Sequence, residues 1–323
     1  PYKGKRYQYW FYFQVKNAKD TQCQFIISKL RNYYKDWNKS NICFSYDNIH
    51  WQRIASSYND KVKQISWGIR PKSDNLWFAY YVPYTFSRLK NTLKSIKTNK
   101  SLVKSEVIGY SYNKNPLYML TYGKGGRNVW MVARQHPGET IASWITEGIL
   151  TNIHKYKSLL KKNTIRIIPC VNPDGVIEGQ WYTNRQGINL NRDWGDNKSK
   201  ETKIIDKIIK QKRTDKDIFI DIHGDEGNKK HFVTYAYTNS KSRELHKKFN
   251  KEITKLDKRF KQKDAYSLLP KSKKTDHTTF DGVYDGITIE GSMQHSIKKH
   301  KTLQDEPLEI GESILKVLDN FKN

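Results

Sequence analysis

Apolar and polar positions alternate in short runs over the first hundred residues. The run 7–15 reads Tyr-Gln-Tyr-Trp-Phe-Tyr-Phe-Gln-Val and is rich in the aromatic residues that suit a pleated surface. Comparable runs follow at 24–27, 42–46, 64–67 and 76–82, separated by turn formers such as Lys19-Asp20, Asn59-Asp60 and Ser73-Asp74-Asn75. Short strands with no helix between them predict a small antiparallel β-sandwich. No cluster of reactive side chains occurs in this part, and most of its aromatics read as core.

From residue 85 the period changes. Leu89, Leu93 and Ile96 form a helical stripe, so 85–105 reads as a basic helix and linker. Beyond it, apolar runs predict strands at 118–121, 129–133, 164–169, 218–222, 231–237 and 287–289. Helical patterns fall at 141–156, 200–212, 241–259 and 303–321. This alternation predicts an α/β domain with a mixed sheet and flanking helices. The expected division is a β-sandwich over 1–100 and the α/β domain over 101–323. Ligands in such sheets bind at the carboxyl ends of strands, which directs attention to the residues just after each apolar run.

After 129–133 comes Arg134-Gln135-His136-Pro137-Gly138-Glu139-Thr140. Pro137 and Gly138 predict a turn between strand and helix. An imidazole and a carboxylate three residues apart at a strand end can reach one divalent ion, and zinc takes such ligands. A catalytic zinc keeps three protein ligands and one open position, so a third ligand is expected elsewhere. A surface His with a helix-start Glu would give the same four letters. The strand 218–222 ends in Asp221-Ile222-His223-Gly224-Asp225-Glu226, which makes His223 the candidate third ligand. Asp221 is a candidate acceptor for the ring's other nitrogen, although strand alternation could turn it away. Asn191-Arg192 places an amide beside a planar guanidinium, a set suited to a peptide's terminal carboxylate; a salt-bridged loop is the plainer alternative. Glu290 follows the strand 287–289. Beside a metal-activated water it would serve as general base and then acid; otherwise it is a strand-end Glu paired with a Lys. The stretch 169–176, with Asn172-Pro173 and Asp174-Gly175, reads as a structural turn.

Composition adds a charge. The chain has 323 residues, 59 Lys and Arg against 32 Asp and Glu, and a formal net charge of +27. Such a surplus attracts nucleic acid, acidic peptides or anionic lipid surfaces, unless it only solvates helix faces. Three cysteines, Cys23, Cys43 and Cys170, form no disulfide framework and no Cys-x-x-Cys site, which points to a reducing, cytoplasmic setting. No apolar run long enough to span a membrane occurs, and no signal peptide is visible, although a chain that starts at Pro1 is compatible with a leader already removed.

In order, His136-Pro137-Gly138-Glu139, Asn172-Pro173-Asp174-Gly175, Asn191-Arg192, His223-Gly224-Asp225-Glu226 and Thr288-Ile289-Glu290 resemble the zinc metallocarboxypeptidases, and in particular their cytosolic carboxypeptidase branch. Trp10-Phe11-Tyr12-Phe13 and Val82-Pro83-Tyr84-Thr85-Phe86 resemble that branch's β-sandwich and its junction. The resemblance implies that His136, Glu139 and His223 bind one zinc ion, that Asn191 and Arg192 hold the substrate's terminal carboxylate, and that Glu290 is the general base. It implies hydrolysis of the last peptide bond of a chain, with acidic, glutamate-rich tails as the expected substrates. One departure stands out. Where the family has an arginine for the oxyanion, this chain has Tyr182, and Arg185 is the candidate substitute. The alternatives are a related zinc amidohydrolase acting on a cell-wall peptide or acyl amino acid, and a catalytically impaired peptide-binding relative. A nucleic-acid binder is suggested by charge alone, without zinc-finger spacing or an RNA-recognition signature.

Overall fold

Alternating aromatic strands form the first layer of the molecule, seen in a computed structural model that describes residues 10–30, 37, 41–237, 240–261, 266–267, 279–294 and 302–321. β1 (Tyr12–Lys16), β7 (Asn75–Ala79), β3 (Ile42–Ser45) and β4 (Gln52–Ile54) make one antiparallel sheet in that order. β2 (Cys23–Ile27), β6 (Gln64–Ile69) and β5 (Ser57–Asn59) make a second. Phe13 and Phe78 of the first sheet meet Phe25 and Trp67 of the second, with ring centroids 4.7 to 6.5 Å apart. The aromatic runs therefore do become the filling of a sandwich, as expected. Of the predicted first strand, residues 7–9 lie outside the described residues.

The second layer is a mixed sheet. Its order is β14 (Phe260–Lys261), β13 (His231–Tyr237), β16 (Ile287–Ser292), β12 (Ile218–Asp225), β10 (Arg127–Ala133), β11 (Asn163–Ile168), β9 (Pro116–Tyr122) and β8 (Leu102–Tyr110), with β15 (Tyr266–Ser267) also paired to β13. β11, β10, β12 and β16 run parallel in adjacent places, and their inner residues are buried and strongly apolar, as parallel strands covered on both faces require. Helices lie against the sheet. α1 (Phe86–Ser95) is capped by Thr85, whose hydroxyl accepts from the Arg88 N–H. α2 (Thr140–Asn152) is buried along most of its length and packs on α8 (Asp305–Asn320). α5 (Lys200–Lys212) and α6 (Ser240–Leu256) are amphipathic. Three short helices, α3 (Lys157–Lys162), α4 (Pro173–Ile177) and α7 (Phe280–Tyr284), complete the set among the described residues.

Two segments differ from expectation. The basic helix ends by residue 98, and Leu102–Tyr110 is an edge strand rather than linker. The Asn-Pro-Asp-Gly turn closes into α4, because the Asn172 side chain accepts from the Gly175 N–H and Pro173 occupies the first helical position. No helix among the described residues is long and apolar enough to cross a membrane.

Candidate active site

The parallel core brings three strand ends to one edge of the sheet. In the β10–β12 register Ala133 faces Ile222, and in the β12–β16 register His223 faces Glu290. Cross-strand partners share a face, so His223 and Glu290 project to the same side. Three residues after Ala133, the last residue of β10, the chain turns through His136. Three things hold that turn. Arg134, at φ 60°, is buried and donates to the Pro137 carbonyl at 2.7 Å and to Ser143 Oγ at 2.8 Å. Burial lowers its pKa to about 10. Gly138 leaves room for Trp181, whose ring carbon would lie 1.9 Å from any Cβ at that position. The Gly138 N–H also donates to the Trp181 carbonyl at 2.9 Å.

The result is a buried cluster of His136, Glu139 and His223, one ligand-type atom from each lying within 4.8 Å of the others. Glu139 is the hub. Its Oε1 is 2.7 Å from His136 Nδ1, and its Oε2 is 2.9 Å from His223 Nδ1. Each ring is fixed from behind. His136 Nε2 lies 3.0 Å from Asn189 Oδ1, and His223 Nε2 lies 2.9 Å from Asp221 Oδ2. With these acceptors on the Nε2 side, each Nδ1 is turned toward the Glu139 carboxylate, and a bound cation would take its lone pair there. Two oriented imidazoles and a carboxylate around one point are the donor set of a zinc site with an open corner, so the residues present fit the ion. Asp221 does not turn away: two positions apart on a strand, Asp221 and His223 share a face.

The protonation pattern agrees with a site built for a cation. Burial alone would raise the Glu139 pKa, but the charges of His136 and His223 reverse this and hold it far below the ordinary value. Burial would lower that of His223, yet Asp221 and Glu139 raise it well above. A metal ion entering here would displace a proton. Glu290, beside His223, has its pKa pushed well up by burial; His223 opposes the rise, while Glu139, Asp225 and Asp221 add to it.

The amide of Asn191 is oriented by the Phe280 N–H, which donates to Oδ1 at 3.1 Å. Its Nδ2 then sits 3.2 Å from His223 Nε2, a nitrogen already donating to Asp221 and unable to accept. That NH₂ group is left with donors to spare at the cluster. Arg192 is exposed and donates one Nη1–H to the Asn191 carbonyl at 2.6 Å, keeping the rest of its fork. Arg185 is not brought to the cluster: its side chain is 53% exposed and pairs with Glu178 at 3.2 Å. Tyr182 is, stacked on the His136 ring at 4.0 Å with 17° between planes. Burial raises its pKa, so its hydroxyl stays protonated.

Sequence reasoning missed Gln135 and Asn189. Gln135 Nε2 donates to Asp221 at 2.6 Å, while its Oε1 accepts from Trp194 Nε1 at 2.7 Å, fixing the carboxylate behind His223. Asn189 Oδ1 also accepts from the Asn191 N–H at 2.9 Å. Gln135 directly precedes His136, and Asn189 lies two residues before Asn191. The polar character of Gln135 at the end of an apolar strand was the one signal available.

The fold and the three-residue donor set are of the kind that zinc carboxypeptidases share. The zinc carboxypeptidase family matches residues 89–304, and the cytosolic carboxypeptidase N-terminal domain matches residues 2–81. The chain belongs to the zinc carboxypeptidase family. Among curated relatives it is 34% identical over 225 residues to an uncharacterised protein of Zymomonas mobilis, covering 67% of this chain and 58% of that one. It is 27% identical over 255 residues to cytosolic carboxypeptidase 6 of Mus musculus, covering 68% of this chain and 46% of the relative. The chain thus spans about half the length of these relatives. A metallo-carboxypeptidase of Burkholderia cenocepacia shares the fold with a TM-score of 0.85 at 22% identity, over 95% of this chain and 87% of that one.

Proposed function

We propose that the protein is a zinc-dependent carboxypeptidase that removes residues from the carboxyl terminus of acidic peptides or protein tails. The observation that carries this is the convergence of His136, Glu139 and His223, with Glu290 alongside in the neighbouring strand. In this reading the three side chains hold one zinc ion, which when bound supplies Lewis-acid polarisation of the scissile carbonyl and an acidified water. A Glu290 carboxylate oxygen takes a proton from the attacking water and passes it to the leaving amine. Asn191 Nδ2 and the free part of the Arg192 guanidinium bind the chain-end carboxylate, which confines cleavage to the last bond. For the oxyanion, two groups compete. Arg185 is engaged with Glu178, whereas the Tyr182 ring stacks on His136, which favours Tyr182 in this reading. The preference for acidic substrates rests on the net charge of +27. A cytosolic setting accords with three free cysteines and with the names of the relatives.

The test is release of amino acids from glutamate-ended and leucine-ended peptides, with and without a chelator, beside carboxyl-amidated controls. The reading expects chelator-sensitive release, faster from glutamate ends, and none from amidated peptides. Release that ignores the chelator, or equal attack on amidated ends, would rule it out. The reading of an impaired peptide-binding relative is favoured by one observation, the exposed position of Arg185. It expects peptide binding to the zinc-loaded protein without turnover.

A further inference from the structure

The amino-terminal sandwich touches the catalytic sheet at one consequential place. Arg53, in β4, donates Nη2–H to the Met293 carbonyl at 2.6 Å and Nη1–H to the Asn41 carbonyl at 3.0 Å. Met293 stands three residues after Glu290, and its own N–H continues the ladder to the Asp225 carbonyl at 2.9 Å. Its side chain is buried, and its sulfur lies against Gly224, the residue after His223. Arg53 and Met293 also line one small cavity with Thr140 and Ile141, the residues that follow Glu139. Where the chain returns after β16, the same loop of the sandwich holds it again: the Leu303 N–H donates to the Trp51 carbonyl at 3.2 Å, and Gln304 Nε2 donates to the Ile49 carbonyl.

Among the described residues, the partners of Arg53 are carbonyl oxygens rather than carboxylates. A guanidinium spanning two carbonyls fixes the direction of both, because its donors form a rigid planar fork. One of those carbonyls belongs to the sandwich and the other to Met293, the residue just past β16, the strand that carries Glu290. We infer that the sandwich is a working part of the active site, with Arg53 as a positioning residue that sets the end of β16 and hence where the Glu290 carboxylate stands relative to the metal cluster. The inference rests on the proposed role of Glu290 for its kinetic consequence, but not for the contact itself. General-base chemistry depends steeply on placement, so a loosened strand end lowers turnover without weakening substrate capture.

The test compares wild type, Arg53→Ala, Arg53→Lys and, as a control on the same strand, Gln52→Ala, all zinc-loaded. Two readouts are taken: kcat and KM on a glutamate-ended peptide, and amide hydrogen exchange over residues 287–294. The expected result for Arg53→Ala is about a tenfold fall in kcat with KM within about twofold and zinc content unchanged, and about tenfold faster exchange at 291–294. Exchange in the β10–β11 pair stays at the wild-type rate. Arg53→Lys, which keeps a charged donor, recovers part of both effects, and Gln52→Ala matches wild type. Unchanged exchange at 291–294 in Arg53→Ala, or unchanged kcat despite faster exchange, overturns the inference. So does a kcat loss that merely follows loss of zinc. If wild type hydrolyses no peptide, the proposed function fails, and the exchange readout still decides whether Arg53 holds the strand.

Discussion

Two hydrogen bonds that leave the metal cluster decide how well it can work. Asp221 and Asn189 hold the far nitrogens of His223 and His136. Removing such an acceptor typically costs about 10- to 100-fold in metal affinity. Asp221→Ala is therefore expected to weaken zinc binding by that order in a competition titration with a chelating dye, while circular dichroism stays native. The oxyanion question is also open to test at this scale. If the Tyr182 hydroxyl supplies the donor, Tyr182→Phe lowers kcat on the order of a hundredfold, whereas Arg185→Ala stays within about threefold of wild type. The opposite ranking returns the role to Arg185. His136 and His223 were legible as candidate ligands because each stands at or just past the end of an apolar strand and is followed by Pro-Gly or Gly, and Glu139 because it closes that turn at the start of a helix. The ring supports were not, because Gln135 meets Asp221 across 86 positions of chain and Trp194 across 59, and no local pattern encodes such pairs.

Among the elements, α2 carries the largest structural duty. It starts next to Glu139 and lies under the sheet edge, and α8 presses against it so closely that backbone meets backbone. A Cβ at Gly311 would stand 2.3 Å from the Ile145 carbonyl oxygen, and one at Gly148 would stand 2.1 Å from that of Leu308. Alanine ordinarily favours a helix interior by about 1 kcal/mol over glycine. Here the overlap wins, and Gly311→Ala is expected to lower the melting temperature, by about 2–4 °C for each kcal/mol of strain. A rise in melting temperature would show that the helices part easily. In α5, Glu201 is buried with one carboxylate oxygen lacking a hydrogen-bond partner, and burial raises its pKa. A carboxyl with a raised folded pKa stabilises most below its unfolded pKa, and that benefit is lost as pH rises through the folded value. Glu201→Gln is thus expected to melt higher than wild type at pH 7, with the gap closing near pH 4. The long helices and buried strands were legible from periodicity. The edge strand β8 was not: its residues are half-exposed on both faces, and register shifts at Leu102/Lys104 and Val107/Gly109 break the alternation. The five-residue helices α4 and α7 are too short to show a period and are declared only by their caps, Asn172 and Thr279.

For the molecule as a whole, charge and domain arrangement act together. With a net charge of +27, encounter with a polyanionic tail is accelerated at low salt and screened within about 10 Å at 0.1 M. For a glutamate-ended acidic peptide kcat/KM is expected to fall severalfold between 0.02 and about 0.3 M salt, roughly tenfold at most, while a neutral leucine-ended peptide changes little. Equal salt dependence would detach the charge from substrate choice. The sandwich and the sheet are joined by stacked aromatics, Tyr81 on Trp181, and by Arg53, so the first layer braces the second at the edge where the strand ends meet. The account stands or falls on whether that edge holds one metal ion between His136, Glu139 and His223. Zinc counted per chain in the purified protein and in His223→Ala, after dialysis against trace zinc, tests this most directly. One zinc per wild-type chain and close to none in the variant is the predicted result; equal zinc in both, or none in either, contradicts it.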